Sequence, residues 1–553
     1  MAEIEFNLLD EAWIRVRLPD NSVREVSLTD ALIHAHEYVD LAGETPTQDA
    51  AVLRLLLAIP LTIFYRMDVE GNAGELTSSD EAILRWRDLW TQGNFPEKPV
   101  REYLSHWYER FWLFHPERPF WQVPEATMGT EYKASKLNGE ISESDNKARL
   151  FPLYAGEQKN TLTYAKAARW LLYVNAFDDT SAKPKGKNLP SVGAGWIGKI
   201  GFIQAEGNNL FETILLNMTM LKDGQELWKE GSPCWELDVP RNGERIEIAV
   251  PDNFVQILTL QSRRLFLQRK DDKVIGLSLL GGDFFQRENA FTEQMTIWRN
   301  VKAKKNGPIS YVPQRHDASK KFWREFPSVF SEFEASRKPG VIQWIELLQN
   351  RRLHILDPKQ LIHFKAVGTL YGDKDFFAND CYADSLSFQM NILDELGRVW
   401  RSRITGEIEK CEKAAAYVGD LKKELALAEG FSYSTKTKSI LDKQSESVRG
   451  DFYFIVDEPF RLWLQSIDTE DDLDEKMEEW QRKCRNLAMG IGRKLVRESG
   501  STAMLGHKAE MEKGKKELWT SAKAYNKFQY KIWMLYPQNK EEGGMLNGKT
   551  AGN

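Results

Sequence analysis

A chain of 553 residues, 42% hydrophobic and 11% aromatic with 18 Trp and 28 Phe, carries enough apolar area for a large core and two or three domains, which excludes a disordered protein. Its formal net charge of −6 excludes a protein that coats nucleic acid over its whole surface, because such binding draws on counterions released at many phosphates. The four cysteines, Cys234, Cys381, Cys411 and Cys484, show no CxxC spacing and no Cys-His cluster, which excludes a zinc ribbon and a disulfide framework and suits a reducing cytoplasm.

The opening "NLLDEAWIRVRLPDNSVREVSL" alternates as strands about a Pro-Asp-Asn turn, and "LTDALIHAHEYV" follows with helical spacing. The start carries no basic stretch leading into an apolar run, and the helical "AVLRLLLAIPLTIFY" is cut by Arg54 and Pro60 and reads as too short to span a bilayer. The expectation is a soluble, cytoplasmic protein with no membrane partner. Residues 80–120 read as a Trp-rich amphipathic helix pair stopped by the prolines of "HPERPFWQVPE", and 124–160 as polar loop. Helix returns at "LTYAKAARWLLYVNAF" and at "LFETILLNM". The middle is β-rich, with strands expected in "RIEIAVP", "FVQILTLQSRRLFLQR" and "KVIGLSLL". In "VGTLYGDKDFFAND", residues 367–380, β-rich flanks around a Gly-Asp tip spell a tight hairpin, for which a solvated turn is the simplest reading.

Beyond residue 385 the pattern turns helical, with runs at roughly 385–429, 436–467, 472–498 and 508–535 joined by short breaks that favour antiparallel neighbours. The fold class expected is therefore α+β: a mixed α/β N-terminal domain over 1–384 and a C-terminal four-helix bundle over 385–553.

No phosphate loop, HExxH or GxSxG motif is present, so no catalytic residue, cofactor or metal is assigned. The alternative is a metal-dependent nuclease or phosphohydrolase using His316 and Asp317 in "QRHDASKK", which would need several further ligands in a chain with eight histidines. His34 and His36 sit two apart in a helical pattern and do not share a face, and His115 precedes a proline at a helix end. More informative is residues 178–218, where Lys183, Lys185, Lys187 and Lys199 interleave with Gly186, Gly193, Gly195, Gly198 and Gly201. Such a segment is either a surface loop or a flexible cationic backbone able to lie against phosphates.

At this point the residues resemble the CasA family, the large subunit of the type I-E CRISPR complex Cascade. The likeness rests on "NLLDEAWIRVR", "FHPERPFWQV" and above all "GWIGKIGFIQAEGNNLFETILLNM". It implies a non-catalytic subunit that recognises the protospacer-adjacent motif (PAM) in double-stranded DNA, wedges the duplex to start an R-loop and helps recruit a helicase-nuclease. The implied partners are CRISPR RNA, double-stranded target DNA, the other Cascade subunits and that nuclease.

The resemblance also distributes roles. A duplex-entering wedge falls on Gly372, Asp373, Lys374 and Asp375, where Lys374 and Asp375 replace the Gln and Ala the family commonly carries. Lys374 is then the expected DNA contact, Asp375 works against it, and Tyr371 and Phe376 brace the hairpin from behind. A PAM-sensing loop falls on Asn175, Asp179, Thr180, Ser181, Ala182 and Lys183, with fewer glycines than the family often has. A guide-RNA and subunit loop falls on Phe151, Pro152 and Leu153. The family's basic finger belongs in the β-rich middle, with Lys270, Lys273 and Arg287 as candidates.

Overall fold

The computed structural model describes residues 4–137, 154–180, 183–184, 186–301, 309–330, 337–350, 353, 355–431, 435–510 and 516–537. The chain is mixed α and β and divides into two compact units, Met1–Leu386 and Ser387–Asn553.

The first unit is built around the helix Pro46–Arg66. Thr45 caps it by accepting from the Gln48 N–H, Pro46 opens its first turn, and its side chains are buried on nearly every face. It runs unbroken through Pro60, which corrects the reading of a segment cut at that residue. Packing against the helices Tyr164–Phe177 and Phe254–Leu258 outweighs the one backbone bond the proline removes. By length and composition this helix could cross a membrane, and here it is the core of the unit. Arg54, buried within it, forms a two-pronged pair with Glu293 at 2.9 and 3.0 Å.

Antiparallel sheets complete the unit. Arg263–Lys270, Lys273–Gly281 and Thr130–Lys133 form one, in which Phe266 pairs with Ser278 and Leu277 with Tyr132. Phe202–Glu206, Leu361–Tyr371 and Ala378–Gln389 form another, with Val367 opposite Phe202. Several local expectations differ. "FVQIL" is the helix Phe254–Leu258, because the Asn253 side chain accepts from the Val255 N–H and starts a helical turn. "RIEIAVP" makes only an isolated bridge, Glu247 with Phe284. "WLF" is the strand Trp112–Phe114, following helices Ser79–Gln92 and Glu97–His106. The polar stretch read as loop contains the strand Thr130–Lys133.

The second unit holds four long helices, Gly397–Ala428, Thr435–Gln465, Leu473–Glu498 and Ser521–Leu535. Their core includes the edge-to-face pair Phe460–Trp480 and the stacked pair Trp463–Trp480, at 5.0 and 5.3 Å. Residues 508–535 are not one helix. The antiparallel hairpin His507–Glu510 with Lys516–Trp519 precedes Ser521–Leu535, whose start is capped by Thr520.

Candidate nucleic-acid interface

The hairpin read from the Gly-Asp tip is present. Leu361–Tyr371 and Ala378–Gln389 are joined by a turn closed by Gly372 N–H to Phe377 C=O at 2.8 Å, Asp375 N–H to Gly372 C=O at 3.1 Å and Phe376 N–H to Asp373 C=O at 3.1 Å. Lys374 and Asp375 both lie in the left-handed region, at φ 54° and 59°. Each such residue without glycine costs about 1–2 kcal/mol, so something must hold the turn.

Arg315 does so. Its Nη1 and Nη2 donate to the two Asp375 carboxylate oxygens at 2.6 and 2.8 Å, and its Nε donates to Gly198 C=O at 2.6 Å. Its guanidinium lies 4.7 Å from the centre of the Tyr371 ring. The Asp375 carboxylate, which the sequence reading sets against an approaching polyanion, is thus paired with a bidentate cation.

Tyr371 braces the hairpin as expected. Its buried hydroxyl donates to Phe177 C=O at 2.5 Å, and burial raises its pKa, so it stays a donor. Phe376 does not brace: its ring is 45% exposed and meets Phe377 edge-on at 4.5 Å. Asp373 and Lys374 are also exposed.

Residues 175–183 have a different character from that expected of a groove-facing loop. Asn175 is buried, its Nδ2 donating to Leu260 C=O at 2.8 Å and its Oδ1 accepting from the Arg263 N–H at 3.0 Å. Asp178 and Asp179 are buried against Lys136 at 3.0 and 3.1 Å, and Asp178 also meets Lys183 and Arg263, each at 2.7 Å. All five charged side chains are at most 5% exposed. Asn175, Asp179 and Lys183 therefore hold the segment in place and do not present their side chains to a groove, since a buried charge stays buried only when it is paired. Ser181 and Ala182 lie outside the described residues, as do Phe151, Pro152 and Leu153.

The cluster sets three cations against two carboxylates. Burial works against ionisation of Asp178, but Lys136, Lys183 and Arg263 outweigh it and hold the carboxyl far below its usual range. The surplus positive charge falls on Lys183, where burial first, then Arg263 and Lys136, bring the pKa down to about 8 against the pull of Asp178.

The two segments meet. Thr180 N–H donates to Asp375 C=O at 2.8 Å, and Tyr371 reaches Phe177 across 194 residues of sequence. Gly198 lets this happen: a Cβ there would stand 2.1 Å from the Tyr371 hydroxyl oxygen.

On the same loop system lies a cavity of about 480 Å³ lined by Lys199, Arg245, Arg263, Arg287, Trp196 and Phe285 among others. Burial, then repulsion from Arg263, Arg245, Arg287 and Arg315, lowers the Lys199 pKa to about 8. Asp283 also lines the cavity, and its carboxylate is matched by Arg264 and by Arg241 at 2.8 Å. A concave site with this balance attracts anions. Of the three basic-finger candidates, Arg287 lines it, whereas Lys270 ends the strand that Arg263 begins and is about 23 Å away at the usual strand rise. Lys273 pairs directly with Lys270. Sequence reasoning missed Arg315, Tyr371 as a link to the loop, and Lys136. Their partners are far away in the chain, and the only local hint was an acidic Asp375 where the family is uncharged.

The metal alternative fares poorly. His316 is buried with Nε2 2.9 Å from Phe202 C=O and Nδ1 2.5 Å from the Glu325 carboxylate, so both ring nitrogens are engaged within the protein. The Asp317 carboxylate accepts from Ser319 N–H and Oγ at 3.1 and 2.7 Å. Among the described residues no group of three or more His, Cys, Asp or Glu is placed to hold a metal ion.

The family model for CRISPR-associated protein Cse1 matches residues 7–491. A curated relative from Thermus thermophilus, CRISPR-associated protein CasA/Cse1, is 34% identical over 245 residues, which is 43% of this chain and 44% of that protein. The match thus spans less than half of the relative's length. Among solved structures, Thermobifida fusca Cse1 superposes with a TM-score of 0.79 at 26% identity, covering 96% of this chain and 98% of that one. Cse1 from Acidimicrobium ferrooxidans shares the fold with a TM-score of 0.78 at 23% identity, covering 97% and 100%. So does a chain of a CRISPR RNA-guided surveillance complex, with a TM-score of 0.67 at 15% identity, covering 96% and 99%.

Proposed function

The chain belongs to the Cse1 family of CRISPR-associated proteins, and on that premise we propose that it is the non-catalytic large subunit of a cytoplasmic type I-E CRISPR RNA-guided surveillance complex. In this reading it recognises the PAM in double-stranded target DNA, opens the duplex beside it and helps recruit the helicase-nuclease. The observation that carries the reading is the meeting of the hairpin tip with the 177–180 turn, on the loop system that also forms a cation-lined cavity.

Each part has a physical task. Lys199 and Arg287 attract phosphates by counterion release, while most of the phosphate binding belongs to more basic partners, in keeping with a chain of net charge −6. Minor-groove edges are nearly degenerate between A·T and T·A, so a loop reading them senses a short, permissive motif. At the hairpin tip Phe376 is the exposed apolar group, the kind of side chain that unstacks a base step, with Lys374 beside it for phosphate or groove acceptors. Base pairing with the guide then reads the long sequence. Phe151, Pro152 and Leu153 are proposed to contact guide RNA or a neighbouring subunit, and the helical unit to dock partners and the displaced strand.

The test uses the assembled complex with its guide and two targets, one fully duplex and one melted beforehand at the motif-proximal end. The variant carries Asp373→Gly, Lys374→Gly and Phe376→Ala and keeps Asp375. Binding to the duplex is expected to fall by about tenfold or more, the order of one unstacked step, with the melted target largely spared. Equal losses on both targets would remove the duplex-opening role.

A further inference from the structure

We propose that Arg315 is a positioning residue that locks the hairpin tip to the 177–180 turn and keeps Asp375 electrically silent beside DNA. The proposal rests on the hairpin being the duplex-opening element.

The geometry leaves Arg315 little freedom. Its Nε, Nη1 and Nη2 are directed at Gly198 C=O, Asp375 Oδ1 and Asp375 Oδ2, and its plane covers Tyr371. Lysine, a point charge on a flexible stem, could satisfy only part of this set. Asp375 in turn accepts the Thr180 N–H on its backbone oxygen, and Tyr371 holds Phe177. One guanidinium therefore ties together the tip, the 197–199 turn and, through Asp375 and Tyr371, the end of the helix Tyr164–Phe177. With Lys374 and Asp375 both left-handed, the backbone bonds that close the tip work against local strain, and the clamp adds to them.

Half-exposed ion pairs usually contribute little, but bidentate Arg-carboxylate geometry is the exception, and the proximity of a polyanion adds a second effect. Once Arg315 is removed, Asp375 is an unmatched negative charge where phosphates approach. Removing Asp375 leaves a cation instead, which phosphates tolerate. The two single substitutions are therefore unequal, and the double substitution is milder than loss of Arg315 alone.

The test compares Arg315→Ala, Arg315→Lys, Asp375→Ala and Arg315→Ala/Asp375→Ala in the assembled complex, on duplex and pre-melted targets carrying a randomised flanking sequence. Arg315→Ala is expected to weaken duplex binding about tenfold and Asp375→Ala about threefold, with the double variant close to the latter and Arg315→Lys in between. The Arg315→Ala defect should shrink as salt rises, because the uncovered Asp375 is screened, a response that general loss of packing would not give. If Arg315→Ala fails to assemble, Asp375→Ala and Arg315→Lys, which keeps the positive charge opposite Asp375, carry the comparison. Unchanged duplex binding in Arg315→Ala, or losses that multiply in the double variant, would overturn the clamp. A duplex-specific loss in the Lys374 and Phe376 variant alongside a silent Arg315→Ala would sink the clamp alone; no duplex-specific loss in either would sink the wedge reading, and the clamp with it.

Discussion

Replacing Asp178 by Asn keeps its shape and removes one of two carboxylates that face Lys136, Lys183 and Arg263. At distances of 2.7–3.0 Å each cation is worth about 6 kcal/mol gross to the carboxylate at an effective dielectric of about 20. Dehydration of the carboxylate and repulsion among the cations offset most of that sum, and the net loss on breaking such a buried group is about 3–5 kcal/mol. Without Asp178 the three cations face the single carboxylate of Asp179, and removing the charge of Lys183, the cation already pushed down to about 8 by burial, relieves that excess. Hydrogen exchange is the suitable readout, because the Gly195 N–H donates to Asp178 C=O and the Arg263 N–H to Asn175. Protection in peptides covering 188–200 and 260–270 is expected to drop about a hundredfold or more at pH 7, and a Lys183→Met background should recover much of it. Exchange within about threefold of the unsubstituted protein, or a loss unchanged by Lys183→Met, would refute the account of this cluster as a charge-balanced anchor.

Two further outcomes follow from the same contacts. Lys183 is depressed in the folded state to about 8 from its ordinary 10.5, so between those values the unfolded chain holds more protons and stability rises with pH. Its contribution is fully present above about 10.5 and lost as pH falls through about 8, and the difference in denaturation midpoint between the natural protein and Lys183→Met should follow that window. Gly198→Ala puts a methyl group 2.1 Å from the Tyr371 hydroxyl oxygen and breaks its bond to Phe177. Leaving that donor unmatched costs about 1–3 kcal/mol in urea unfolding, part of which the double variant with Tyr371→Phe should recover.

The sequence was most legible where local chemistry decides structure. Asn209 accepting from the Glu212 N–H announces the helix Leu210–Asn217, and the β-rich flanks of Gly372 announce the hairpin. Two failures have local causes as well. "FVQIL" is rich in strand formers, yet Asn253 and burial on both sides make it helical. The Lys- and Glu-rich stretch after Leu505 reads as helix by propensity, but Gly506, at φ 83°, ends the short helix Ser501–Leu505 and leads into a strand. The site failed differently. Asp178 and Asp179 read as open loop because Lys136, buried against them, stands 43 residues from Asp179, and Arg315 stands 60 residues from Asp375. Pairing of charges across such separations leaves no periodicity for a sequence to show.

A hairpin tip of Asp-Lys-Asp is a poor tool against a polyanion if all three charges are taken at face value. In the structure they are not equivalent. Asp375 is matched by Arg315, and the neighbouring exposed charges of Asp373 and Lys374 cancel, so the tip is close to neutral. The exposed group beside these charges is the Phe376 ring. In the proposed mechanism attraction and opening are therefore separate tasks. Cations at the cavity draw the phosphates, an effect that salt weakens. Unstacking a base step costs a few kcal/mol and is offset by stacking on the half-exposed Phe376 ring, an effect that salt leaves nearly untouched. Phe376→Ala should then lower duplex opening by a similar factor at low and high salt, whereas loss of Lys199 should matter mainly at low salt. A Phe376→Ala defect that vanished with salt would assign the opening step to charge after all.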